Sequence, residues 1–117
     1  MDKKYRYLGY FLLLLIPLIF AGFYKTYFES GQLETVSTME KGSKNGLFRS
    51  YDRDGHLVLE GGFLNGNLHG DNTGFFVGGT VQHQYHYKNG KKTGLNTDYF
   101  PSGKIRVKEQ VTPTGTD

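Results

Sequence analysis

Residues 47–70 read LFRSYDRDGHLVLEGGFLNGNLHG and contain one complete unit of the pattern on which the fold is built. Residues 47–52 predict a short strand, residues 53–55 (RDG) predict a turn, and the alternating apolar side chains of residues 56–64 predict a second strand. The Asn-Gly pair at 65–66 opens the next turn, because a type I′ turn requires positive φ at both central residues. The stretch therefore predicts a unit of two antiparallel strands and two turns.

The same pattern recurs with a period of 24 residues through the rest of the chain. Glycines fall into three columns at this spacing, and three apolar columns share it. The turn glycines that these columns predict are Gly31, Gly42, Gly46, Gly55, Gly66, Gly70, Gly79, Gly90, Gly94 and Gly103. Six columns with one period predict four tandem units of a β-repeat.

Apolar side chains alternate along the second strand of each unit, so one face of the predicted sheet is apolar and the other is largely polar. The residues that we expect on the apolar face, as a core or as a contact surface for a partner, are Tyr51, Leu57, Phe63, Val81, Tyr87, Tyr99 and Ile105. The predicted fold class is all-β, a twisted antiparallel meander of about eight strands. Because one layer leaves its apolar face uncovered, we expect self-association, membrane contact or a protein ligand there.

This spacing resembles that of the MORN repeat in its bacterial variant form. Residues 51–57 (YDRDGHL) and 99–105 (YFPSGKI) match the first half of that repeat, and residues 87–94 (YKNGKKTG) match the second half. The resemblance covers residues 22–111. It implies a curved array of β-hairpins that binds proteins or lies near membranes. Some bacterial members of the family carry an antitoxin label.

The N-terminal part of the chain has a different composition. Residues 1–7 carry three basic side chains and one acidic side chain, whereas residues 8–24 (LGYFLLLLIPLIFAGFY) carry no charge. A helix over these residues would span about 26 Å, against a hydrocarbon core of about 30 Å. The pattern predicts a transmembrane signal-anchor helix over residues 8–24, with residues 1–7 in the cytoplasm and the repeats outside. The alternative is a signal peptide that is cleaved after Ala21.

Composition and motifs exclude several classes of function. The chain contains no cysteine, which excludes disulfides and thiolate zinc sites. Of 14 Lys/Arg and 11 Asp/Glu, three basic residues and one acidic residue lie in residues 1–7, so the remainder is nearly neutral and gives no reason to expect nucleic-acid binding. Catalytic signatures, phosphate loops and dinucleotide fingerprints are absent from the sequence, so we expect neither enzymatic activity nor a cofactor.

Two groups of residues invite a metal-site interpretation. His83 and His86 are three positions apart on a predicted strand, so their side chains should point to opposite faces. Residues 50–55 (SYDRDG) have the spacing of the start of an EF-hand calcium loop, but Glu60 stands one position too early to be its last ligand. The turn of the repeat already accounts for the glycine of that stretch. We therefore predict no metal site.

Basic residues gather late in the chain, where they could meet an acidic partner or anionic lipid, although a solvated sheet face is the simpler interpretation. They are Lys88, Lys91, Lys92, Lys104, Arg106 and Lys108.

Together, these observations predict a membrane-anchored, non-enzymatic repeat module on the outer side of the cytoplasmic membrane. Its repeat domain (residues 25–111) would bind an unidentified protein partner or associate with itself, and residues 112–117 (TPTGTD) would form a disordered tail. Two alternatives stay open. One is an antitoxin-like inhibitor of a partner toxin, and the other is a secreted or periplasmic envelope-binding protein that arises after signal-peptide cleavage.

Overall fold

The computed structural model describes residues 7–13 and 21–112, and the regular elements in these residues are all β-strands. In chain order the strands are β1 (Tyr7–Leu13), β2 (Ala21–Tyr27), β3 (Leu33–Glu40), β4 (Ser43–Tyr51), β5 (Leu57–Leu64), β6 (Asn67–Leu68), β7 (Gly70–Phe75), β8 (Val81–Lys88), β9 (Lys91–Lys92), β10 (Gly94–Tyr99) and β11 (Ile105–Val111).

The strands form a single antiparallel sheet in the part of the chain that the structure describes. Its order is β1-β2-β3-β4-β5-β7-β8-β10-β11, and the two-residue strands β6 and β9 pair with β5 and β8 respectively. Strands β3, β5, β8 and β11 begin at residues 33, 57, 81 and 105, which are 24 residues apart. The predicted fold class, an all-β antiparallel sheet of hairpins, is confirmed.

Two kinds of turn connect the strands. In the first kind, both central residues have positive φ, with values of 53° and 87° at Asn65 and Gly66 and of 51° and 85° at Asn89 and Gly90. This is the type I′ geometry that the Asn-Gly pairs predict. In the second kind, the Gly103 N–H donates a hydrogen bond of 2.8 Å to the Phe100 carbonyl oxygen. The repeat therefore alternates two turns of fixed geometry.

Each unit also contains a β-bulge at the same place. Tyr51 pairs with Leu57 and Ser50 pairs with Leu59, so one residue of β5 has no opposite partner. The extra residues of the four bulges, each 24 positions after the last, are Glu34, Val58, Gln82 and Arg106. A bulge increases local twist and re-aims a side chain. The twist of the sheet is thus built into the repeat.

The sheet has no buried apolar core among residues 22–112, because no apolar side chain in this range is buried. The radius of gyration is 16.3 Å, compared with about 13 Å for a compact domain of this length. The side chains that are buried are instead small and polar: Ser37, Asn72, Asn96 and Thr97. A single layer explains both observations, since it offers no second layer to bury apolar groups against.

Three of the four buried polar residues, Ser37, Asn72 and Asn96, lie in one row across the strands. Ser37 pairs with Tyr24 on one side and Phe48 on the other, and Asn72 pairs with Tyr85. A Cβ atom added at Gly61 would overlap the side-chain amide of Asn72, so this glycine makes room for that amide. Large and small side chains therefore alternate along the row and fit against each other.

Asn96 shows how a buried amide is satisfied in this row. Its Oδ1 accepts a hydrogen bond of 2.7 Å from the His86 N–H, and its Nδ2 donates to the Gly94 carbonyl oxygen at 3.2 Å. Ladder pairing between β8 and β10 is confined to Thr97 with Gln84 and Asp98 with His83. The amide of Asn96 therefore satisfies a backbone donor next to the place where the two strands diverge.

The N-terminal strands differ from the helix predicted over residues 8–24. Tyr7–Leu13 and Ala21–Tyr27 form an antiparallel pair, and no helix in the described residues is long and apolar enough to cross a membrane. The 24-residue period of the repeat accounts for β2, since Gly22 lies one repeat before Gly46. A run of apolar and aromatic residues is compatible with a strand as well as with a helix. The helix prediction is therefore wrong at both ends of this segment.

Parts of the sequence-based predictions lie outside the described residues. These parts are the middle of the predicted helix (residues 14–20), the first six residues of the basic flank, and residues 113–117 of the predicted tail.

The contact between Gly61 and Asn72 gives a test of this packing. Gly61→Ala should lower the free energy of unfolding by about 1–3 kcal/mol, because the new methyl group displaces a side chain that is 3% exposed. Denaturant unfolding of the single and double variants measures the effect. Gly61→Ala combined with Asn72→Ala should lose less stability than the sum of the two single changes. Additive losses would show that the two residues are not in contact.

Candidate functional site

A pocket of about 410 Å³ opens on the surface at the C-terminal end of the sheet. Side chains and backbone from β8, β10, β11 and two turns form its wall. The lining residues are Phe76, Gln82, His83, Tyr85, Asp98, Tyr99, Phe100, Pro101 and Arg106. Five of these residues are phenylalanine, tyrosine or proline, and the other four are polar or charged.

The bulges bring two of these residues to the pocket. Gln82 is adjacent to His83 on β8, and in a regular strand their side chains would point to opposite faces. Both line the pocket, because Gln82 is the extra residue of its bulge. Arg106 is the corresponding residue of the last unit.

A hydrogen-bonded pair forms the polar centre of the pocket. The Tyr85 hydroxyl donates to Asp98 Oδ1 at 2.6 Å, and Arg106 Nη2 lies 3.9 Å from Asp98 Oδ2. The hydrogen bond to the carboxylate, with a smaller contribution from burial, raises the pKa of Tyr85 to about 12. The Lys92 ammonium lies 4.0 Å from the centre of the Tyr85 ring, within the range of a cation–π contact. The phenol is therefore held neutral and fixed in place.

His83 lies beside this pair and is half-buried. Its ring is 4.3 Å from the Tyr85 ring with an angle of 24° between the planes, and it covers Gly74 on the neighbouring strand. Burial lowers the pKa of His83, although the charge of Asp98 acts in the opposite direction. Because the ring occupies the space above Gly74, a side chain at that position would displace it.

Three exposed apolar side chains adjoin the pocket, and we call them the C-terminal patch. They are Phe100, Ile105 and Val107, with exposed fractions of 46%, 50% and 43%. Ile105 pairs with Tyr99 across the sheet and Val107 pairs with Asp98, and both of these partners line the pocket. The patch and the pocket together form the candidate site.

The residues predicted for the apolar face are in strands as expected, but they are not a core. Tyr51, Leu57, Phe63, Val81, Tyr87 and Tyr99 are half-buried, and Ile105 is exposed. Phe63 contacts the ring of Phe48 edge to face at 5.3 Å, so part of this face is packed by neighbouring strands. Only Tyr99 and Ile105 of the seven lie at the candidate site.

Seven of the ten predicted turn glycines lie at turns, whereas Gly46, Gly70 and Gly94 lie within β4, β7 and β10. All ten have φ between 71° and 98°, in the left-handed region. Gly78 shares this conformation, with φ of 111°, next to the predicted Gly79. These glycines shape the scaffold and do not line the pocket.

The structure places the two metal candidates in different surroundings. His86 contacts the carboxylate of Asp71, whereas His83 stacks on Tyr85, so the two histidines do not converge. Asp52, Asp54 and His56 do come together at a turn, with possible ligand atoms within 4.8 Å of one another. However, the Asp52 carboxylate already accepts hydrogen bonds of 2.9 Å from two backbone N–H groups of that turn. These bonds lower the pKa of Asp52.

The calcium-loop interpretation also lacks its last ligand. Glu60 lies in β5 and forms an ion pair with Arg49, with Oε2 and Nε 2.8 Å apart. Its carboxylate is therefore directed to the neighbouring strand and not to the turn. The carboxylate of Asp52 organises the turn, as in an Asx-turn.

Sequence reasoning missed the pocket, although the repeat contains a signal for it. Gln82 and Arg106 are one period apart, and both are single residues that the pairing leaves over. Asn72 and Asn96, which are buried, are also one period apart. A comparison of polar residues between copies would have pointed to these columns. The hydrogen bond between Tyr85 and Asp98 has no such signal, because it joins different positions of adjacent units.

Comparison with known proteins supports the resemblance drawn from the sequence. The family model of the MORN repeat variant matches residues 44–65, which extend from β4 through β5 to the following turn. The resemblance to the MORN repeat variant is therefore confirmed over these residues. The description of that family names a repeat and mentions no antitoxin activity. Neither the curated proteins nor the solved structures gave a match.

The Tyr85–Asp98 hydrogen bond predicts a pH dependence at the candidate site. The pKa of Tyr85 is raised in the folded state, so the stability it contributes is complete below the unfolded pKa of about 10 and is lost as the pH rises towards 12. An alkaline titration of phenolate absorbance should show one step near pH 12 that Tyr85→Phe removes. Asp98→Asn should move this step towards 10. Tyr87→Phe is the control, and loss of the step in that variant instead would contradict the assignment.

Proposed function

We propose that this chain is a non-enzymatic interaction module of the MORN repeat type, and that its C-terminal patch binds a protein partner. One observation carries the proposal. Residues 22–112 bury no apolar side chain, while the three side chains of the patch are nearly half exposed. Removing apolar surface from water is favourable by about 25 cal/mol per Å², before the entropic cost of association is subtracted. The patch is therefore a surface that gains free energy when a partner covers it.

Contacts between successive turns distinguish the surface at this end of the sheet. The Arg53 guanidinium lies 4.7 Å from the centre of the Phe28 ring in the preceding turn. At the same positions two units later, Pro101 and Phe76 line one pocket. Phe100 repeats the position of Phe28 and Phe76, but the described residues contain no later turn to cover it. The last unit thus presents a surface that earlier units use for stacking.

The groups in the pocket support binding more than catalysis. The Asp98 carboxylate accepts the Tyr85 hydroxyl proton and faces Arg106, and the His83 ring stacks on the Tyr85 ring. These side chains are engaged with one another and form a rigid polar centre. Aromatic and proline residues surround it, which is a composition common in peptide-binding surfaces.

We also propose a location for the module. The uncharged run over residues 8–24 and the basic residues before it support attachment to the cytoplasmic membrane, with the repeats on its outer side. In this arrangement the partner is an extracytoplasmic protein or the extracytoplasmic part of a membrane protein.

Photo-crosslinking in cells tests the binding surface. A photoreactive amino acid at Phe100 or Val107 of the full chain should give a discrete adduct, whereas the same amino acid at the exposed turn residue Asp54 should not. Ile105→Asp should leave the sheet folded, because Ile105 is 50% exposed, and should lower the adduct yield at Phe100 by about tenfold. Equal adduct yields at Phe100 and Asp54 would contradict the proposal.

Protease accessibility tests the location. A tag placed after Asp117 should stay in the membrane fraction and should be digested when protease is added to cells stripped of their outer barrier. The matched control is a cytoplasmic protein with the same tag, which should be protected. Protection of both tags would contradict the outer location. A soluble tagged fragment without residues 1–21 would contradict membrane attachment.

A further inference from the structure

We propose that the outer edge of β11 binds an acidic, extended segment of the partner as an additional strand of the sheet. This inference rests on the proposed function and specifies the chemistry of the partner. It concerns backbone hydrogen bonds and charge along the edge strand, whereas binding at the C-terminal patch depends on apolar contacts.

The edge of β11 is open in the described part of the structure. β11 is the last strand in the sheet order and pairs with β10 along its length, from Ile105 opposite Tyr99 to Val111 opposite Gly94. Six of its seven residues are exposed. An edge strand presents alternate N–H and C=O groups that a further strand can pair with. The geometry for strand addition is therefore present along the regular part of the strand, from Val107 to Val111, after the bulge at Arg106.

The charge of this edge selects the class of segment. Lys104, Arg106 and Lys108 lie at alternate positions and are exposed, and the neighbouring acidic residue is Glu109. Arg106 is 3.9 Å from Asp98, too far for a close hydrogen-bonded ion pair, so its guanidinium has donors for a ligand. Complementary charge steers binding and disfavours the wrong partners. An acidic strand therefore complements the positive charge of this edge.

The apolar residues between these charges complete the pattern. Ile105 and Val107 flank Arg106, the extra residue of the bulge, and both are exposed. Cross-strand neighbours on one face interact, so apolar residues opposite Ile105 and Val107 would cover them. A segment that carries both acidic and apolar residues therefore fits the edge best.

A second copy of β11 fits this edge poorly. Antiparallel pairing of two β11 strands about a two-fold axis perpendicular to the sheet places residues of the same face opposite each other. In the regular part of β11 that follows the bulge at Arg106, a register centred on residue 108 then places Lys108 opposite itself. Like charges directly opposite are destabilising. The basic residues therefore oppose self-pairing while they attract an acidic strand.

Binding of synthetic peptides to the purified full chain in detergent tests the inference. The probes are a hexapeptide of alternating Glu and Val, the same peptide with Lys in place of Glu, and the Glu peptide with alternate backbone amides N-methylated. We expect the Glu peptide to bind and to slow amide hydrogen exchange in β11. The other two peptides should bind about tenfold more weakly or less, because one lacks the charge and the other lacks the backbone donors.

A matched pair of variants assigns the site. Lys108→Glu should weaken binding of the Glu peptide by about tenfold and strengthen binding of the Lys peptide. Lys88→Glu makes the same change at an exposed position on β8, away from this edge, and should leave both affinities within about twofold. Both side chains are exposed, so both variants should fold.

Several outcomes would overturn the inference. Equal binding of the Glu peptide and its N-methylated form would show attraction by charge without strand addition. Equal effects of Lys88→Glu and Lys108→Glu would place binding elsewhere. Binding to anionic lipid vesicles that Lys108→Glu abolishes, without peptide binding, would assign the basic residues to a membrane surface.

The crosslinking experiment distinguishes failure of strand addition at β11 from failure of the proposed function. Adducts at Phe100 without peptide binding would overturn strand addition at β11 and leave the interaction module standing. Absence of both would overturn both.

Discussion

Large and small side chains face each other across the strands of this sheet, and this fit takes the place of a hydrophobic core. Tyr24 and Phe48 lie opposite Ser37, and the amide of Asn72 occupies the space that Gly61 leaves open. In a single layer each residue is covered mainly by its cross-strand neighbours. The stability of the sheet therefore depends on repeated packing between cross-strand neighbours. A substitution at one position first disturbs the packing of the adjacent strand.

The same arrangement separates the scaffold from the candidate site. Glycines with positive φ, the Asn-Gly turns and the bulges set the path of the backbone in every unit. The last two units use this path to bring Gln82 and Arg106 to one pocket, around the hydrogen bond between Tyr85 and Asp98. Earlier units place Val58 and Glu34 at the equivalent positions, so the site arises from substitutions within a constant frame.

The fold could be predicted from the sequence because its determinants are local and repeated. Gly66 after Asn65 specifies a turn, and alternation around Leu57 specifies a strand, so the hairpins follow from short stretches. The bulges could not be predicted, because an extra residue is visible only when two strands are in register. The N-terminal helix prediction was wrong at its ends, since residues 21–27 read equally well as an apolar span and as the first strand of the repeat.

The constant position of the bulges has a consequence for how such an array changes its length. Insertion or deletion of 24 residues returns every side chain to its face and every bulge to its place, whereas a shift of one residue exchanges the two faces of all later strands. Growth by duplication of whole units is therefore the tolerated route. In such a lineage the final unit acts as an exchangeable cassette, and a new specificity can be acquired by replacing it while the preceding units stay unchanged.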